Sequence, residues 1–145
     1  MSNLETISQI LQESSERTEV TINYNGNEKK FKMKPLTDGE LTKLKRIEYN
    51  SFKFKLTIDE EGNKKRQKQS EQETEVDTGE FTENQKNAMY TAIAWSLSTP
   101  EEEVPVIAVK DMPKGMPNLL YEKVIEVSGL REGDLTTVKN FLKDE

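Results

Sequence analysis

EVTINYNGNEKKFKMKPL, residues 19–36, decides the fold class. Val20, Ile22 and Tyr24 alternate with polar residues, and Asn25-Gly26 follows with two residues that tolerate positive φ. Phe31 and Met33, with Pro35 beyond them, carry the alternation away again. An Asn-Gly pair between two runs of period two predicts a tight β-hairpin, because that turn needs positive φ at both central residues. Lys29, Lys30, Lys32 and Lys34 give the second strand a basic outer face. Such a face is read as a solvated guard on a sheet edge in preference to a nucleic-acid stripe.

Outward from the hairpin the pattern turns helical. Thr37 with Glu40 three residues on forms a capping box, and Leu41, Leu44 and Ile47 follow as one apolar stripe with Lys43, Lys45 and Arg46 directed elsewhere. Thr37-Asp38-Gly39-Glu40 lacks the ligand spacing of an EF-hand, so it reads as a cap. On the other side, Leu4, Ile7, Ile10 and Leu11 sit at helical spacing, with Ser2 or Asn3 as cap and an end near Ser15. Two readings of this arm are open: a helix packed on its own domain or frayed, and a docking helix for a partner.

TENQKNAMYTAIAWSLSTP predicts a helix capped by Thr82 and stopped by Pro100, with Ala88, Met89, Ala92, Ile93 and Leu97 as its stripe. Tyr90, Ala94 and Trp95 widen that stripe, which marks a buried helix, and Trp95 is placed at the centre of the core in preference to a partner anchor. VPVIAVKDMP is read as an extended or one-turn connector, since Pro105 limits a central strand. A helix then starts near Pro117 and ends at Gly129, with Leu120, Val124 and Val127 stacked beside Tyr121 and Ile125. Asp134 is expected to cap a short helix carrying Leu135, Val138, Phe141 and Leu142.

Between these halves the chain changes character. Phe52, Phe54, Leu56 and Ile58 alternate, Lys64 to Lys68 form a basic block, and Glu71 to Glu80 an acidic one. The two blocks either pair as antiparallel strands or remain a polyampholyte loop. The expected organisation is one α+β domain over 1–145: an arm at 1–18, hairpin and helix at 19–50, a charged insertion at 51–82, and a helical core half at 83–145. It is mostly helical, with the N-terminal β-hairpin and an insertion that is a second hairpin or disordered.

Composition limits the chemistry. The chain has neither cysteine nor histidine, so disulfides, thiolate nucleophiles, serine–histidine catalysis and His-ligated metals are out of reach. Lys and Arg number 21 against 27 Asp and Glu, a formal charge of −6, which argues against nucleic acid as the main partner. No run reaches the ~20 apolar residues of a membrane span. MSNLETISQILQESSE has neither the basic start nor the apolar run of a signal peptide. A soluble intracellular protein is expected. KDMPKGMPN holds one glycine, and its prolines remove donors an anion would need, so it is a joint ahead of a helix and carries no phosphate site. The carboxylates lie mostly in the insertion or on caps, where burial does not retune them. No catalytic residue, cofactor site or metal site is assigned.

The order of elements, and above all PLTDGELTKLKRIE (35–48) and MPNLLYEKVIEVSGL (116–130), resembles the tail assembly chaperones of long-tailed bacterial and archaeal viruses. The resemblance spans roughly Val20 to Leu130 and rests on pattern, with the charged insertion between Phe52 and Thr82 as a departure. It implies a non-enzymatic protein of the host cytoplasm that coats the hydrophobic tape-measure protein until tail-tube subunits replace it. Other tail proteins are implied as further partners, and many members occur beside a longer, frameshifted form. Self-association is open to such a protein; nucleic acid, membrane and cofactors are not implied. The rival reading is a structural minor tail or capsid-completion protein retained in the particle. Ile7, Leu11, Leu41, Leu44 and Tyr121 are the candidate partner-binding residues, as side chains that could offer apolar surface on a helix face.

Overall fold

The computed structural model describes residues 2–51 and 78–141. They form an α+β unit in the order α1 (Asn3–Ser14), β1 (Thr18–Tyr24), β2 (Asn27–Met33), α2 (Asp38–Glu48), α3 (Thr78–Leu97), α4 (Val106–Lys110) and α5 (Met116–Ser128), with short 3-10 turns at Tyr49–Ser51 and Val138–Asn140. The pairing of the basic and acidic blocks, and Leu142, lie outside the described residues.

β1 and β2 pair antiparallel from Thr18↔Met33 to Tyr24↔Asn27. Asn25 at φ 54 and Gly26 at φ 78 make the turn, as the Asn-Gly pair requires. Val20, Ile22 and Met33 are buried, with Phe31 and Tyr24 packed against the same core. The basic outer face is smaller than expected. Lys29 lies opposite Ile22 on the inward-facing side, and Lys34 turns to Glu40 at 2.9 Å. Lys30 and Lys32 remain on the outer face, opposite Thr21 and Glu19.

Thr37 and Glu40 close the expected capping box on α2. α3 is the hub, packing against α2, α4, α5, β2 and the 3-10 turn that follows α2. Its Ala88, Ala92 and Ala94 are at most 1% exposed, so neighbouring helices approach closely. This helix begins at Thr78, four residues before the expected cap at Thr82. The Phe81 ring meets Tyr49 at 6.3 Å, which gives the extra turn a packing partner. The C-terminal end of α3 is held by long-range bonds. The Lys34 N–H donates to the Ser96 carbonyl at 3.0 Å, and the Ser96 hydroxyl donates to the Lys34 carbonyl at 2.8 Å. The Arg17 guanidinium donates to the carbonyls of Ser96 and Ser98, supplying a cation where the last turn leaves acceptors open.

The connector is a five-residue helix, α4, anchored by buried Val109. α5 buries Met116, Pro117, Leu120, Tyr121, Val124 and Ile125. Gly129 ends it at φ 66, its N–H bonding the Glu126 carbonyl while the Leu130 N–H reaches that of Ile125 at 3.0 Å. These two bonds satisfy two of the last four carbonyls and fold the buried Leu130 back onto the core. Asp134 caps no helix. Its carboxylate accepts from the Arg131 N–H at 2.7 Å, so its hydrogen bond is spent closing a turn. Past that turn the described residues form one 3-10 turn, and Leu135 and Val138 are buried in the core.

Candidate protein-binding surface

α1 departs from the rest of the molecule. Ser2 and Glu5 make a complete capping box, with both reciprocal bonds at 3.1 Å. The helix nevertheless buries none of its residues. Leu4, Ile7, Ile10 and Leu11 are 75, 50, 57 and 61% exposed. A 12-residue helix in water is marginal without tertiary packing, and here its cap and polar face are the local support. Of the two readings open from the sequence, packing on its own domain is not the one observed. The apolar stripe has no cover within the described residues.

Next to the hinge after α1 lies a groove of about 540 Å³, lined by Ser15, Arg17, Lys34, Glu40, Trp95, Ser98, Thr99 and Pro100. Trp95 is half-buried and forms part of its wall, which corrects its expected place at the centre of the core. The α3 stripe that fills the core runs through Ala88, Ala92 and Ile93; Trp95, two positions past Ile93, falls at its edge. Lys34 and Glu40 form a part-buried ion pair on the groove's flank.

The candidate partner-binding residues therefore separate. Ile7 and Leu11 stand exposed on α1. Leu41 is half-buried on α2, packed against the core. Leu44 and Tyr121 are fully buried, so both are corrected from contact residues to core residues. For Leu44 the reason is register: it is the middle of the α2 stripe, where a helix that docks on its own domain must bury itself. For Tyr121 it is polar as well as apolar. Its ring packs edge-on to Phe141 at 5.0 Å, and its hydroxyl shares a 2.7 Å hydrogen bond with Thr137. Burial pushes the phenol up to about 12; the Thr137 bond opposes that rise and the nearby Glu48 carboxylate adds to it.

Glu48 was not singled out in the sequence. It is the last residue of α2 and fully buried. The Thr136 N–H and hydroxyl donate to its two carboxylate oxygens at 3.0 and 2.9 Å, and Gln85 donates to the same hydroxyl at 2.8 Å. This clasp joins α2, α3 and the irregular C-terminal segment. The one signal for it was position: Glu48 follows Leu41, Leu44 and Ile47 on nearly the same side of the helix. Both oxygens are occupied and enclosed, so the group orients backbone and is not placed to meet a substrate.

No protein-family model matches the chain, and no curated protein or solved structure does either. None of the helices among the described residues is long and apolar enough to cross a membrane.

Proposed function

We propose that the protein is a non-enzymatic tail assembly chaperone, which holds an apolar, helical client, the tape-measure protein, in the host cytoplasm until assembly. The observation that carries this reading is α1: a capped amphipathic helix whose whole apolar stripe is exposed. Helix-in-groove or helix-on-helix recognition uses such a stripe, with anchors at i, i+3 and i+7. Leu4, Ile7 and Leu11 have that spacing. The formal charge of −6 suits a carrier, since like charge keeps loaded complexes apart. The resemblance of residues 35–48 and 116–130 to the chaperone family supplies the class of client.

The test is co-expression with a tape-measure protein. The native chain should keep it in the soluble fraction, and Ile7→Ser with Leu11→Ser should lose it while melting unchanged. A doubly substituted chain that still holds the client removes α1 from the reading. Mass spectrometry of purified virions addresses the rival: a stoichiometric amount in the particle would replace the chaperone by a structural tail or capsid-completion component.

A further inference from the structure

We infer that α1 pairs with the α1 of a second copy of this chain, antiparallel, so that the protein covers its own apolar stripe when it carries no client. The inference rests on the reading of α1 as a contact helix and names the partner it meets first.

Leu4, Ile7 and Leu11 follow the three-four spacing of a coiled-coil seam, which continues to Ser14, and Ile10 lies directly beside it. The only charged residues on α1 are Glu5, on the far side of the helix from the seam, and Glu13, which is outside the seam and one turn on from Ile10. The positions flanking the seam are Asn3, Ser8, Ile10 and Ser15, none of them charged. Two copies of a chain with a formal charge of −6 can therefore meet along this face without setting acid against acid.

Direction follows from the hinge. α1 joins the body at its C-terminal end, only three residues before β1. Parallel pairing would bring two acidic bodies to the same end; antiparallel pairing separates them by the helix length, roughly 18 Å, and opposes the two helix dipoles favourably. Ile7 then packs against the partner's Leu11 and Leu11 against the partner's Ile7. Leu4 faces Ser14 of the partner subunit, and both copies of Ile10 lie beside the two-fold axis. The four residues are each at least half exposed, so pairing removes at most about 1,000 Å² from water. That is at the low end for a specific interface, which makes the dimer weak and concentration-dependent. A client helix with a longer apolar stripe can displace it.

Because the chain has no native cysteine, single cysteines report the pairing without background. Full-length Ile7→Cys and Leu11→Cys chains, mixed under mild oxidation, should cross-link to each other in preference to themselves. Sedimentation of the native chain should show a monomer–dimer equilibrium, and Ile10→Glu should weaken it by roughly tenfold or more. That variant should leave Trp95 fluorescence and melting unchanged, since α1 contributes nothing to the core. Monomer at all concentrations to about 1 mM, preferential Ile7–Ile7 cross-links, or indifference to Ile10→Glu overturns the inference. Client retention is read in a separate assay: a chain that dimerises as described but holds no tape-measure protein sinks the proposed function and leaves the pairing intact.

Discussion

α1 and α5 are nearly the same length, 12 and 13 residues, and both carry an apolar stripe, yet α5 buries six residues and α1 none. The difference lies in the width of the stripe. On α5 the apolar positions come in adjacent pairs, Leu120-Tyr121 and Val124-Ile125, which cover a broad arc and face two neighbours at once. On α1 the stripe is a narrow seam with one flanking isoleucine, enough to meet a single helix. The ends differ in the same sense. α5 is bracketed by Gly115 and Gly129 in left-handed conformations, which turn the chain sharply and commit the helix to one place. α1 runs through Ser15 and Glu16 into β1, with no turn that folds it back on the body.

The contrast breaks most visibly at a pair of leucines. Leu120→Ala on α5 should cost about 2–5 kcal/mol, a cavity in a site with no exposure, and lower Tm by roughly 10 °C or more. Leu11→Ala on α1 should stay within about 0.5 kcal/mol of the native chain. Thermal melts of the two variants at matched, dilute concentration decide it. A destabilised Leu11→Ala monomer would mean that α1 packs on its own body after all.

A smaller effect sharpens the buried side. The Tyr121 phenol is raised to about 12 in the fold against about 10 in an unfolded chain, so its burial favours the neutral form. The associated stability is fully present below about pH 10 and is lost as pH rises toward 12, by about 3 kcal/mol at the limit. Tyr121 should ionise late in an ultraviolet titration, together with alkaline unfolding. Glu48→Gln should bring that step to lower pH by removing a nearby negative charge. A Tyr121 that titrates near pH 10 with the fold intact would contradict its enclosure.

The regular parts of this fold were legible because local rules and tertiary packing agree in them. Asn25-Gly26 and Gly129 take the positive φ that few other residues tolerate, the Thr37–Glu40 box makes both of its reciprocal bonds, and Pro117 sits in the first turn of α5, where its missing N–H costs nothing. Trp95 and Tyr121 were misplaced in opposite directions. Periodicity says that a residue lies near an apolar face, but a step of two positions along a helix turns a side chain far enough to leave the core. Glu48 was hidden for a related reason. A carboxylate ending a helix reads as solvated until a distant segment brings donors to it, and Thr136 is 88 residues away. The surface reading was only partly legible: Ile7 and Leu11, four apart, share one helix face just as Leu41 and Leu44, three apart, do, and only packing against the rest of the fold tells the two pairs apart.

The smallest expected effect tests whether α1 stands alone. Glu5 is held below the ordinary carboxylate range, first by the hydrogen bond from the Ser2 backbone N–H and then by the Ser2 side chain. A depressed value in the folded state means that the capping contribution is present above the unfolded value, about 4.3, and is lost as pH falls through the folded one. With none of its residues buried, α1 should fray as pH falls below the unfolded carboxylate value while α5, which takes its caps from glycine backbone, keeps its protection. Amide hydrogen exchange resolved by residue reads both helices in one sample. Glu5→Gln, which can still accept the Ser2 bond, should abolish the acid step in α1 without moving α5. If α1 amides instead stay protected from pH 6 to 3 at dilute concentration, something other than its cap holds the helix, and the narrow stripe is already covered.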